Sequence, residues 1–224
     1  MIREQVHTNY RRLMDEKINI IQKQNERKKL LLHACCAPCS TSCLEILRKY
    51  FDVTVLFYNP NITEENEYNK RLEEEIRLIG IFNDDLLKNT HHFSAGVSDL
   101  PDCNKEPGEA VSLIGIMKAK YDPQNFLSLV KGHENEKEGG ERCGICFELR
   151  LGEAAKAAKK NGFDFFTTTL TISPMKNAHI LNSIGIKAGE ETGVEFLPSD
   201  FKKKNGYLRS IELSKEFDLY RQDY

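Results

Sequence analysis

The chain has 224 residues, 40% hydrophobic and 29% charged, a composition that suits one compact α/β domain with an appended arm. Its net charge of −2 excludes a global positive field, so any RNA contact must come from local basic patches. No apolar run approaches the roughly 20 residues needed to span a bilayer, and the charged start MIREQVHTNYRRLMDEK has no signal-peptide core, so a cytoplasmic protein with no membrane partner is expected.

Residues 3–26 set Val6, Leu13, Ile18, Ile20 and Ile21 among charges, the spacing of an irregular amphipathic helix. We read it as an N-terminal helical arm over 1–27, ahead of a single α/β domain over 28–224. Lys28–Ala34 is a nearly continuous apolar run, the pattern of a parallel strand buried on both faces. It ends in CCAPCS, read as a turn with Pro38 at its apex, and Cys39–Tyr50 continues as a helix with Leu44, Ile46 and Leu47 inward. Asp52–Pro60 reads as a second strand stopped by Asn-Pro. The next helix is expected to start near Thr63, whose hydroxyl suits an N-cap, and its acidic run Glu64 to Glu75 reads as a solvated face.

Residues 82–118 are expected to form a loop-rich insertion in which His91 and His92 face solvent and Cys103 is incidental. Beyond it come a helix over YDPQNFLSLV, a charged glycine-containing loop GHENEKEGGER, and a strong helix over CGICFELRLGEAAKAAKKNGF closed by Gly162. A β-branched strand over Asp164–Pro174, a helix over KNAHILNSIGIKAGEETG, a short strand VEFLPS and a helical tail complete the chain. Strands alternating with helices imply βαβ units and a parallel sheet flanked by helices.

Seven cysteines stand at Cys35, Cys36, Cys39, Cys43, Cys103, Cys143 and Cys146. An odd count, crowded into two clusters in a chain with no export signal, argues for metal or redox chemistry over a disulfide scaffold. A thiol sheds its proton most readily near helix N-termini or cations. Cys35 and Cys36 close a strand and precede a helix. Cys143 and Cys146 open another helix three residues apart, hence on one face, and Arg142 and Arg150 can offset local negative charge. Four thiolates from two helix starts suit a [4Fe–4S] cluster or a structural zinc. Adjacent cysteines are unusual for zinc, so spacing favours iron–sulfur while leaving zinc and thiol redox open. Cys39 and Cys43 read equally as buried small hydrophobes or as functional thiols, and His33 as a packed strand residue.

LLHACCAPCS, FYNPNI followed by EYNKRLEE, GGERCGICFELRL, FTTTLTISPMKN, FKKKNGYLRSIELSKE and YRQDY form six ordered blocks from about Leu31 to Tyr224. Together they resemble the cobalamin-independent, QueH-type epoxyqueuosine reductases, with the arm and the segment from about Phe82 to Lys118 outside the match. The resemblance implies that Cys35, Cys36, Cys143 and Cys146 ligate a [4Fe–4S] cluster, which raises iron–sulfur well above zinc. It also implies a fold like that of the PP-loop ATPases (HUP-like), with the cysteine turn in the place of their SGGxDS. That motif is absent here, so ATP use at the turn is not expected. Family members usually continue past YRQ-x-Y into a CGC pair; the sequence given ends at Tyr224, so no electron-relay role is assigned to such a pair.

The implied reaction is a two-electron deoxygenation of epoxyqueuosine, at the wobble position of tRNA, to queuosine and water, with electrons from an unidentified donor. The departing oxygen needs a proton or a Lewis acid. The cluster edge or a second iron is the expected polarising group, and Cys39 the first protein candidate for an extra ligand or proton donor. An anticodon-loop substrate calls for stacking and phosphate contacts; Lys202, Lys203, Lys204, Tyr207 and Arg209 form a local basic–aromatic patch suited to them. Asn59, Asn61, Tyr68 and Arg71 after the second strand, and Lys176 and Asn177 after the Ser-Pro turn, fall at the carboxyl edge of the sheet, where such folds bind ligands. The main alternative from another class is a non-catalytic RNA-binding module whose four cysteines hold structural zinc.

Overall fold

The computed structural model describes residues 8–24, 26–94 and 112–221. Cys103, and the side chains of His91 and His92, lie outside what is described.

Helix α1 (Tyr10–Lys23) is capped by Asn9, whose side chain accepts the Arg12 N–H at 3.1 Å. Its buried stripe is Tyr10, Met14, Ile18 and Ile21, while Leu13 and Ile20 face outward. The arm is therefore packed into the same apolar core as the first strand. Strand β1 (Lys28–Ala34) leads directly into α2 (Ala37–Leu47), with Cys36 as the extended N-cap residue. Pro38 lies inside the first helical turn rather than at the apex of a separate turn; its missing N–H is one the helix start would leave unbonded in any case.

Strand β2 (Phe51–Phe57) is followed by α3 (Glu65–Ser94). The N-cap position of α3 is Glu64, whose carbonyl accepts the Tyr68 N–H at 2.9 Å; Thr63 precedes it and its carbonyl accepts from the Tyr121 hydroxyl. Glu75 departs from the expected solvated face and is fully buried. The expected insertion is shorter than 82–118 at both ends. Leu78, Ile79 and Phe82 keep α3 in register with the core, and β3 (Gly115–Lys118) joins the sheet. Asn83 pins the two together, donating to the Ile114 carbonyl at 3.0 Å and accepting its N–H at 2.8 Å.

Helix α4 (Pro123–Leu129) and the charged loop then lead to α5 (Glu141–Lys160). The expected strand over Asp164–Pro174 ends early. Strand β4 (Phe165–Thr168) stops where the Thr168 hydroxyl accepts the Leu170 N–H at 3.1 Å and turns the chain into a 3-10 helix, Thr169–Ile172. Helix α6 (Ala178–Thr192), closed by Gly193 at φ 74, β5 (Glu195–Phe196) and α7 (Gly206–Glu216) complete the described chain.

The five strands are all parallel, in the order β3-β2-β1-β4-β5, as expected for an α/β sheet flanked by helices. Strand alternation sends Leu30, Leu32 and Ala34 of β1 into a core with α1, α2 and α3, while Leu31 meets the alanine face of α5 and the α6 side. Each fully buried leucine of this kind contributes about 1.5–3 kcal/mol. The strand order reverses direction between β1 and β4, and the crevice beyond their carboxyl ends is where folds of this kind bind ligands. Among the described residues no helix is long and apolar enough to cross a membrane.

Candidate metal centre and substrate cavity

The carboxyl end of β1 delivers Cys35 and Cys36 to this crevice, and the first turn of α2 adds Cys39. The three sulfurs lie within 4.8 Å of one another, close enough to share one metal ion. Cys35 Sγ and Cys36 Sγ are 3.8 Å apart, which matches the edge of a tetrahedron with metal–sulfur bonds of about 2.3 Å. Cys43, one turn further on, sits wholly in the apolar core, and burial pushes its thiol well up, so it is a packing residue.

The second cysteine pair arrives on α5. The Gly139 N–H donates to Cys143 Sγ at 3.3 Å, and Cys143 packs with Cys35 against the apolar group of Phe147, Leu151, Leu170 and Leu181. All five of Cys35, Cys36, Cys39, Cys143 and Cys146 line one cavity of about 960 Å³. The two clusters, distant in sequence, therefore open onto common space.

Three thiols so close cannot ionise independently. Cys35 is driven well below the usual thiol range, first by hydrogen bonds from Cys36 and Cys39, then by the nearby Arg150 charge and Thr169, against the effect of burial. Cys36 and Cys39 are pushed up because they donate those bonds. Thr169 Oγ1 accepts the Cys35 N–H at 3.2 Å and donates to Cys35 Sγ at 3.4 Å. The TTTLT run reads in sequence only as strand; this contact depends on the early end of β4.

Beneath the cysteines lies a buried polar network. Arg150 donates to Asn59 Oδ1 at 2.5 Å, and Asn59 Nδ2 donates to the Ala34 carbonyl at 2.9 Å. His33 is fully buried, with Nδ1 2.9 Å from Thr168 Oγ1, and Nε2 3.0 Å from the Tyr58 carbonyl and 3.3 Å from Arg150 Nε. Burial, and then the Arg150 charge, push its pKa down to about 3, so the ring is neutral. A neutral ring nitrogen serves either the carbonyl or the guanidinium, never both at once.

The remaining expected site residues divide by location. Asn59, Asn61, Arg71, Lys176 and Tyr207 line the cavity. Tyr68 does not: it is buried against Phe57 and Tyr121. Asn177 caps α6, accepting the His179 and Ile180 N–H groups. The basic patch is largely committed to ion pairs. Lys202 turns inward to Asp200 and the carbonyls of Thr171 and Lys176, Lys204 pairs with Asp15, and Arg209 with Glu45 and Glu212. Lys203 lies with Lys204 at a separate shallow hollow near α1. Cations that do reach the cavity are Arg71, Arg142, Arg150, Lys176 and Arg221, and its aromatic walls include Phe126, Phe147 and Tyr220. Phe126 and Tyr220 escaped the sequence reading because neither lies near a cysteine or a strand end.

The family described as "Epoxyqueuosine reductase QueH" matches residues 30–224. A relative from Streptococcus pyogenes serotype M1, named epoxyqueuosine reductase QueH, is 38% identical over 216 residues, covering 96% of this chain and 75% of its own. Proteins of the same name from Staphylococcus epidermidis (38% over 218 residues; 96% and 82%) and Thermotoga maritima (32% over 195 residues; 87% and 86%) are similar along most of their lengths. With the match running from β1 to the end of the sequence, through both cysteine clusters, the chain belongs to the QueH family of epoxyqueuosine reductases.

Proposed function

We propose that this chain reduces epoxyqueuosine in tRNA to queuosine. Two electrons and two protons enter, both carbon–oxygen bonds of the epoxide break, an alkene forms, and the oxygen leaves as water. The reading rests above all on five cysteine sulfurs from two distant segments lining one cavity that is large enough for a nucleoside.

The cofactor we propose is a [4Fe–4S] cluster held by Cys35, Cys36, Cys143 and Cys146. The donor set suits it: thiolates only, one of them driven toward ionisation, in a partly enclosed site. When bound, such a group supplies electrons singly and offers Lewis acidity toward oxygen. Cys39 is the spare sulfur, a ligand for a second iron if one is present and otherwise a thiol that keeps its proton at Sγ at neutral pH. Asn61 Oδ1, buried with no partner among the described residues, offers an acceptor to a sugar or cyclopentane hydroxyl. Phe126, Phe147, Tyr207 and Tyr220 supply stacking surfaces for unpaired bases, and Arg142 and Lys176 supply phosphate contacts. The partner is thus a tRNA bearing epoxyqueuosine at the wobble position, served by an external electron donor in the cytoplasm, where thiols stay reduced.

The 3.8 Å sulfur spacing also suits a single zinc ion in an RNA-binding module without catalysis. Anaerobic purification, iron, zinc and sulfide analysis, and incubation with epoxyqueuosine tRNA and a chemical reductant without ATP separate the two readings. The enzyme reading expects brown protein and queuosine among the digested nucleosides. Colourless zinc protein, or iron-loaded protein that leaves the epoxide intact, overturns it.

A further inference from the structure

Arg150 lies one turn beyond Cys146 on α5, on the same helical face, and lines the cavity with the cysteines. It is only 3% exposed, yet among the described residues it has no carboxylate partner. Its hydrogen bonds go to two neutral groups, Asn59 Oδ1 and His33 Nε2, and the second is shared with the Tyr58 carbonyl. A guanidinium has five N–H donors, and these bonds occupy two of them. Burying such a cation unpaired is strongly unfavourable, and native folds retain one only where an anion completes it. The sulfurs of Cys35, Cys36, Cys143 and Cys146 share the cavity that Arg150 lines.

We propose that Arg150 is a built-in counter-cation for a thiolate-bound metal centre and sets its reduction potential, held in place by Asn59 and His33. It is a positioning residue that acts on the substrate only through that centre. A thiolate-ligated centre is anionic and becomes more so on reduction, so a fixed buried cation favours the reduced form. The inference rests on the metal centre proposed above and adds the residue that tunes it. With no centre bound, the cation is uncompensated, and removing it should not weaken the fold.

The test compares the unmodified protein with Arg150→Met and Arg150→Lys. Each is reconstituted anaerobically with iron and sulfide and titrated for midpoint potential by electron paramagnetic resonance, and each metal-free form is melted. The expected result is a lower midpoint for Arg150→Met, most of the original value for Arg150→Lys, and a metal-free Arg150→Met protein at least as stable as the unmodified one. If Arg150→Met assembles no centre but folds, recovery of the centre in Arg150→Lys supports the proposal and failure to recover it counts against. An unchanged midpoint in Arg150→Met, or a metal-free variant that unfolds, overturns the inference and makes Arg150 a structural clamp. If the unmodified protein takes up no iron and sulfide, the metal reading itself fails.

Discussion

Glu75 offers a quantitative test of how α3 packs behind the cysteine cluster. Its side chain is fully buried and neither carboxyl oxygen has a hydrogen-bond partner among the described residues. The Ser40 hydroxyl, which only partly opposes the effect of burial, donates instead to the Cys36 carbonyl at 3.2 Å. Burial above all, with the Cys35 charge adding to it, raises the carboxyl from 4.5 to about 8. In the unfolded chain the group ionises near its ordinary value, so between those limits folding takes up a proton. The stability it allows is complete below pH 4.5 and is lost as pH rises through 8. At about 1.36 kcal/mol per unit, the loss reaches about 3 kcal/mol at pH 7 and about 5 kcal/mol above pH 8. Glu75→Gln keeps the shape and is neutral throughout, so it should remove this slope. Urea denaturation of the metal-free proteins at pH 5, 7 and 9 measures it. The difference between variant and unmodified protein should grow by several kcal/mol toward pH 9. Parallel pH profiles would refute a buried, protonated carboxyl.

Four further substitutions test particular contacts. A Cβ on Gly206 would come within 1.8 Å of the Phe201 carbonyl oxygen, where α7 begins and Tyr207 enters the cavity wall. Gly206→Ala should therefore lose about 1–3 kcal/mol, read as a melting point several degrees lower; an unchanged melting point contradicts the packing. Lys176 lines the cavity with a loose ion pair to Glu138 at 3.9 Å, whereas Lys202 is tied to Asp200 and two carbonyls. In tRNA binding, Lys176→Gln should reduce the slope of log affinity against log salt by about 0.7. Lys202→Met should leave that slope unchanged and destabilise the fold by about 1–3 kcal/mol; the opposite pattern would restore the sequence-based patch. Cys39→Ala should keep most of the iron and sulfide but slow deoxygenation by tenfold or more, and full activity in a loaded variant removes Cys39 from the mechanism.

Much of the scaffold was legible because its signals are local. The apolar run Lys28–Ala34 marks a central strand buried on both faces, and the run Asp52–Pro60 marks a second strand, found over Phe51–Phe57. The features that escaped depend on tertiary context. Four residues, Gly115–Lys118, carry too little pattern to reveal an edge strand, and its position is fixed by Asn83 from a distant helix. The early end of β4 follows from one threonine hydroxyl capping the next turn, which composition does not distinguish from continued strand. Charge runs were the least informative. Lys202, Lys204 and Arg209 look like a nucleic-acid patch in sequence, yet Lys204 and Arg209 pair with Asp15 and Glu45 from other helices, and Lys202 turns back onto Asp200 of its own loop. The cysteine spacing was more telling: it singled out both clusters and Cys39 as a candidate, while the closeness of the Cys39 sulfur to those of Cys35 and Cys36 follows from the helix start.

The two cysteine clusters are proposed to serve one inorganic centre. Iron and acid-labile sulfide per chain, measured side by side in anaerobically reconstituted Cys35→Ala and Cys146→Ala, tests it most directly. Both variants should fall together to a small fraction of the unmodified content. A Cys146→Ala protein with its full complement of iron and sulfide would show that the α5 cysteines hold nothing in common with those of α2, and the account would fail.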